Sequence, residues 1–327
     1  MLILSDKDVR SVLNVSQVIE CVERSFRIHG QGESIMPPAT GITVRDDSRI
    51  FGMSAYVKPL TLAGLKWGAT FRYNNDKYGL PTHIATIFLN DAATGVPLAV
   101  MDGNWITAMR TGAVTAVGVK YLARRGAKNV GIIGSGVQAR SNLETLNEVL
   151  KIETVKVTSR RTETRKQFAE EMNAKLGLNI LAVDSSDDVT KDADVVVSTA
   201  PASHPFIRDE LAKEGVLVVT LGSHIQTDQY LPKKVDKIII DDLYGSFFPS
   251  GIGHFAEYVR VGIVTEQDVY AQLGEIVVGK KSGRTSGDER IWFSHAGMAI
   301  HDVVVGYEAY KIATSRALGI NVELAGG

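Results

Sequence analysis

The feature that most constrains this chain is the run Gly131-Ile132-Ile133-Gly134-Ser135-Gly136-Val137-Gln138-Ala139. A G-x-G-x-x-A pattern set between a short apolar stretch and a helical one belongs to a strand–turn–helix unit. Gly134 makes the tight turn, Gly136 leaves room for a pyrophosphate against the backbone, and Ala139 lets the helix pack closely on its sheet. With Val137 and Gln138, these residues form a candidate dinucleotide-binding turn. The free N–H groups and the dipole at the helix start favour negative charge there. Glycines also cluster in ordinary turns, so the flanking strand and helix carry this reading.

The surroundings agree. From Lys128 onward, short apolar runs alternate with longer helical ones. Val130–Ile133, Thr154–Thr158, Ile180–Val183, Val195–Ser198, Val216–Leu221 and Lys237–Ile240 read as strands, and Gln138–Leu150 and Thr162–Leu176 as helices. That alternation predicts a parallel sheet covered on both faces. Before it, Ser5–His29 has apolar residues at helical spacing. Gly41–Val44, Ile50–Val57, Ile84–Leu89 and Pro97–Met101 read as strands, Ala108–Leu122 as a long helix, and Met298–Leu318 as a closing helix. The predicted fold is α/β: a Rossmann-type domain over 119–296, and a discontinuous α+β substrate and dimerisation domain from 1–118 with 297–327.

Composition narrows the function classes. A formal net charge of -1 gives no basic footprint for nucleic acid. The single cysteine, Cys21, excludes an internal disulfide and a cysteine-rich metal site. The seven histidines form no ligand-spaced pair, so no metal is expected. No apolar run approaches the roughly 20 residues that span a bilayer, and the N-terminus lacks the pattern of a secretion signal. A cytoplasmic protein with a small-molecule partner, no nucleic acid and no membrane is the expectation.

The end of the second strand of the parallel sheet bears on the cofactor. Where an acid would bind the adenosine ribose hydroxyls, this chain has Ser159-Arg160-Arg161-Thr162. Guanidinium is the group that pairs with phosphate in fork geometry. NADP(H) is therefore favoured, with NAD(H) kept open.

Several further motifs stand in order along the chain: Gly64-Leu65-Lys66-Trp67, Gly79-Leu80-Pro81-Thr82, Asp91-Ala92-Ala93-Thr94-Gly95, Thr107-Ala108-Met109-Arg110-Thr111-Gly112-Ala113, Leu273-Gly274-Glu275-Ile276 and Gly297-Met298-Ala299. Together with the glycine turn they resemble the ornithine cyclodeaminase and mu-crystallin family over nearly the whole chain. The resemblance implies a homodimer and a substrate whose carboxylate neighbours a carbon bearing an amine or imine. It implies that Lys66 and Arg110 hold that carboxylate and adds Thr111 to the cofactor-binding residues. Read alone, either cation equally suits a side chain snorkelling from a core edge. Lys66 is also a candidate proton donor if burial lowers its pKa.

Two departures from the family pattern matter. Ala39-Thr40 follows Pro37-Pro38 where many members have an arginine. Gly222-Ser223-His224 replaces a glycine followed two residues later by aspartate, and Asp228 is out of register. Loss of that aspartate argues against cyclodeamination. His224, which titrates near neutrality, is a candidate proton donor as well as a candidate loop histidine. Arg72, shortly downstream of Lys66, is a candidate for a second carboxylate on the substrate, as in iminosuccinate. The expected enzyme is an NAD(P)-dependent oxidoreductase that reduces an α-imino acid or oxidises an α-amino acid. The alternatives are an ornithine or lysine cyclodeaminase and a non-catalytic, NADP-binding, crystallin-like protein. Arg72→Ala should change the ratio of kcat/KM between acidic and aliphatic substrates; an unchanged ratio removes Arg72 from substrate recognition.

Overall fold

The structure, a computed structural model, describes residues 1–45, 48–201, 205–222, 225–243 and 256–324. It resolves into two compact units, Met1–Arg110 with Met298–Gly327, and Thr111–Gly297.

The chain opens with β1 (Leu2–Leu4), α1 (Asp6–Val12) and α2 (Val15–Gly30). The helical spacing over Ser5–His29 resolves into two helices, parted at Leu13-Asn14. Asn14 caps the second helix by accepting from the Gln17 N–H, and the Gln17 side chain accepts from the Asn14 N–H. This reciprocal cap starts a new helix more favourably than a continuous one would bury Asn14. Next come β2 (Ser34–Ile35), β3 (Thr40–Arg45), β4 (Ser48–Val57), β5 (Leu62–Phe71), α3 (Asn74–Tyr78), β6 (His83–Asp91), β7 (Pro97–Asp102) and α4 (Asn104–Leu122). These strands form a sheet in the order β16-β1-β7-β6-β5-β4-β2, with β3 on β4 and β16 the strand Ile320–Asn321.

One face of that sheet is the core of the first unit. Cross-strand registers set Ala55, Gly64, Leu89 and Ala99 in one row and Met53, Lys66, Ile87 and Met101 in the next. The helix Ala299–Ser315 covers this face so closely that a Cβ on Gly64 would lie 2.8 Å from Val303 Cγ2 and 2.9 Å from the Phe88 carbonyl oxygen. Glycine is required there by the close approach.

The second unit continues with β8 (Asn129–Ile133), α5 (Val137–Val149), β9 (Thr154–Thr158), α6 (Thr162–Leu176), β10 (Ile180–Ala182), α7 (Ser186–Thr190), β11 (Val195–Ser198), β12 (Leu217–Leu221), α8 (Leu231–Lys234), β13 (Lys237–Ile240), α9 (Ala256–Arg260), β14 (Val269–Gln272), α10 (Leu273–Val277) and β15 (Ile291–His295). All eight strands pair in parallel, in the order β10-β9-β8-β11-β12-β15-β13-β14. Val195, Val196 and Val197 are fully buried, as a strand covered on both faces requires. The chain closes with α11 (Ala299–Ser315) and β16. Among the described residues no helix is long and apolar enough to cross a membrane.

Asp194, just before β11, pins the bottom of this sheet. Its carboxylate, fully buried, takes Arg124 Nη2 at 2.6 Å, Lys213 Nζ at 2.9 Å, and the N–H groups of Lys128 and Asn129 at 2.9 and 3.0 Å. Burial pushes the carboxyl up, but the backbone donors, Lys213 and Arg124 outweigh it and bring it down to about 2. A folded pKa below the unfolded one gives stability present above pH 4 and lost as pH falls toward 2. Asp194→Ala should lower the unfolding free energy by about 3 kcal/mol at pH 7 and flatten its dependence on pH below 4. Urea titrations of both proteins at pH 7 and pH 3 check this.

Candidate functional site

In the first unit, Lys66 sits in the middle of β5 on the core-facing side, 2% exposed. Its Nζ lies 3.0 Å from Asp302 Oδ2, and Arg110 Nε donates to Asp302 Oδ1 at 3.0 Å. Asp302 is fully buried in the first turn of α11, where the helix dipole favours a negative side chain. Burial would raise its carboxyl, but Arg110 and Lys66 hold it below the ordinary carboxylate range. For Lys66 the balance runs the other way: burial and the Arg110 guanidinium bring the ammonium down to about 8 against the pull of Asp302. Arg110 keeps one buried amine, Nη1, with no hydrogen-bond partner among the described residues. A buried, unpaired guanidinium N–H is costly in an empty site and is met by an incoming anion.

Beyond Lys66 the same face carries Phe51, Gly68 and Ala85 in one cross-strand row and Arg49, Thr70 and His83 in the next. The Phe51 ring lies over Gly68, where an added Cβ would meet Phe51 Cζ at 2.8 Å. The Arg49 guanidinium stacks over the Phe51 ring at 5.3 Å, and the His83 ring flanks it at 5.9 Å. His83 Nδ1 pairs with Thr70 Oγ1 at 3.2 Å, while its buried Nε2 has no hydrogen-bond partner among the described residues. Burial, then Lys66 and Arg110, push His83 down to about 4, so the imidazole is neutral at physiological pH. Burial and the neighbouring Arg72 lower Arg49. Arg72 itself lies just past the end of β5 in an exposed turn.

Three residues here escape a reading of the sequence: Asp302, His83 and Arg49. Asp302 had a signal, because a carboxylate inside the apolar run Ile300–Val305 of a helix has to be buried and paired. Arg49 falls in step with Phe51 and Met53 on the inward face of a strand. His83 falls likewise in step with Ala85, Ile87 and Leu89 on the inward face of β6.

In the second unit the glycine turn joins β8 to α5, beside β11, the point where the strand order reverses. Ligands bind at such points in parallel sheets. Gly134 has φ of +118°, and a Cβ on it would fall 2.3 Å from Thr199 Oγ1. Gly136 caps α5 with nothing within 4 Å of an added Cβ, no side chain caps that helix, and Val137 is 68% exposed. Ala139 is fully buried under the helix. The open cradle and uncapped N–H groups fit a dinucleotide pyrophosphate. Gln138 is half-buried one residue before Ala139, and Thr111 is buried on α4.

After β9, Ser159 Oγ donates to the Arg161 carbonyl at 3.2 Å and pairs with Thr164 Oγ1 at 3.0 Å, which turns the loop. Arg160, Arg161 and Thr162 project from it exposed, and neither arginine makes an ion pair among the described residues. His224 lies outside the described residues, as does Ser223.

The sequence profile of the ornithine cyclodeaminase/mu-crystallin family matches residues 1–316. An alanine dehydrogenase of Archaeoglobus fulgidus is 33% identical over 325 residues, 98% of each chain. The structure of Delta(1)-pyrroline-2-carboxylate reductase from Thermococcus litoralis, in complex with NADH and L-proline, is 36% identical and superposes with a TM-score of 0.93 over 98% of this chain and 100% of that one. The iminosuccinate reductase of Paracoccus denitrificans, in complex with NAD+, is 26% identical with a TM-score of 0.90 over 99% of both chains. The chain belongs to the ornithine cyclodeaminase/mu-crystallin family.

Proposed function

We propose that this protein is a nicotinamide-dependent oxidoreductase that reduces an α-imino acid to an α-amino acid, or runs the reverse. The observation that carries this reading is the buried pair of cations on Asp302, with Arg110 Nη1 left without a hydrogen-bond partner among the described residues. Such a site takes a small carboxylate and excludes water from it. The relatives that act on pyrroline-2-carboxylate, alanine and iminosuccinate support the reaction class.

Arg110 orients the carboxylate through Nη1, with Asp302 fixing the guanidinium through Nε. Lys66, charged below its pKa of about 8, adds a second positive contact. It can also pass a proton from Nζ to the imine nitrogen, because burial makes its neutral form accessible near neutral pH. A dinucleotide held at the Gly134–Ala139 turn would supply the hydride, two electrons and a hydrogen nucleus, for the α-carbon. The carbon–nitrogen π bond breaks as the new C–H and N–H bonds form. Lys66, left neutral, then recovers a proton from solvent.

A dicarboxylic imine such as iminosuccinate is the preferred substrate in this proposal. Among the described residues, Lys66 and Arg110 share one carboxylate, Asp302, and the exposed Arg49 lies two cross-strand rows further along the same sheet face. Two positive charges are left for a dianion. Arg72 beside Arg49 adds to that field. NADP(H) is proposed over NAD(H) on the exposed, unpaired Arg160 and Arg161, with Ser159 and Thr162 as further phosphate donors. His224 is kept as a second candidate proton donor. The protein is further proposed to act as a homodimer. Ile42, Val44, Trp67, Ile84 and Phe88 expose apolar surface on its first-unit sheet, the kind of surface that a subunit interface covers. The archaeal alanine dehydrogenase structure is a dimer.

Oxidation of NADPH and NADH, followed in parallel with ammonia plus pyruvate, glyoxylate or oxaloacetate and with the cyclic pyrroline and piperideine carboxylates, tests the proposal. The expected result is fastest NADPH oxidation with oxaloacetate and ammonia. Arg110→Met should lower kcat/KM by about a hundredfold, the worth of a charge-assisted pair of about 3 kcal/mol. Ammonia release from ornithine or lysine without net loss of reduced cofactor would replace this reading with cyclodeamination.

A further inference from the structure

The dinucleotide turn of the second unit is held by a side chain that needs no contact with the ligand. Arg140, one turn into α5, donates from Nη1 to the Ser135 carbonyl and, at 3.4 Å, to the Gly136 carbonyl. Its other edge meets Glu171 Oε2 on α6, with Nε at 3.2 Å and Nη2 closer. The opposite Glu171 oxygen accepts from Gln167 Nε2 at 2.7 Å, and the guanidinium rests 5.3 Å above the Phe168 ring. The Arg140 hydrogen bond, then Gln167, lowers the Glu171 carboxyl, so it stays ionised. The guanidinium is thus pinned on three sides.

The peptide plane converts that pinning into an aim for the phosphate donors. In a trans peptide the carbonyl and the following N–H point in opposite directions. A latch on the Ser135 carbonyl fixes the direction of the Gly136 N–H, and a latch on the Gly136 carbonyl fixes that of Val137. Among the described residues neither N–H has a hydrogen-bond partner, and both stand at the uncapped start of α5. A glycine-flanked turn is otherwise the most mobile kind of backbone.

We propose that Arg140 is a positioning residue: it latches the carbonyl side of the glycine turn, with Glu171 as its anchor, so that the Gly136 and Val137 N–H groups are preset for a dinucleotide pyrophosphate. The inference rests on the dinucleotide reading of this turn and is independent of the substrate. It differs from a direct arginine–phosphate contact in the sign of one effect. Releasing the arginine from Glu171 would strengthen a direct contact, whereas it loosens a latch.

The test is the dissociation constant of NADPH and of NADH for the substrate-free protein, read by nucleotide fluorescence, with melting temperatures to verify folding. Arg140→Gln is expected to raise the constant about tenfold, the scale of one charge-assisted hydrogen bond. Arg140→Lys, which keeps the charge but not the fork, should fall between Arg140→Gln and the parent. Glu171→Gln, an exposed change, should raise the constant about threefold. The exchange R140E/E171R restores the ion pair between the helices but leaves no donor at the turn, so binding should stay weak. Tighter binding by Glu171→Gln, recovery in the exchanged pair, or an unchanged constant in Arg140→Gln would each overturn the latch. A parent protein that binds neither dinucleotide would overturn the dinucleotide reading itself.

Discussion

One buried carboxylate carries two cations in the first unit, and the chemistry proposed for this protein depends on that arrangement. Asp302, with no exposure to solvent, meets Lys66 and Arg110 at 3.0 Å each. Moving three charges out of water is expensive, and apolar side chains of similar volume would often serve stability as well or better. Stability alone gives no reason for such a cluster in the core row between Met53 and Ile87. The excess positive charge, the Arg110 Nη1 with no hydrogen-bond partner among the described residues and the depressed Lys66 ammonium would all serve the anion proposed as substrate. The sheet supplies rigidity: Lys66 lies mid-strand between two paired neighbours, and Asp302 is held at the start of a helix packed onto Gly64.

The second unit uses charge differently. Asp194 gathers backbone N–H groups, an arginine and a lysine into a structural knot at the foot of the sheet. At the ligand end, two arginines are spent on the protein itself: Arg140 on Glu171 and the turn, and Arg165 on Asp184 and the Ser159 carbonyl. Arg160 and Arg161 remain exposed beside them. A phosphate arriving at this end would meet shaped loops and uncommitted guanidiniums together.

The sequence made the second unit readable because its signals are local. The glycine turn, the period of buried strands and the α5 and α6 helices each depend on neighbours within a few residues, and their limits agree with the structure to within one or two positions. The β15 strand Ile291–His295 escaped because a short apolar run beside polar loops has no period of its own. The break at Asn14 was legible in principle, since Asn14 and Gln17 stand at capping-box spacing. The site in the first unit is non-local. Lys66, Arg110 and Asp302 are brought together across 236 positions of sequence, and only the family resemblance singled out the two cations beforehand. Arg49 and His83 join them through strand register, which no single stretch of sequence contains.

The proposed chemistry requires a charged Lys66, buried beside Arg110 on Asp302, to help hold the substrate carboxylate. Calorimetric titration with succinate, which does not itself ionise above pH 7, measures this directly between pH 6.5 and pH 10. With a Lys66 pKa of about 8, affinity should be constant below pH 7.5. It should then weaken toward tenfold for each further pH unit, and Lys66→Met should abolish the dependence. An affinity that stays constant to pH 10 in the parent protein would contradict the account.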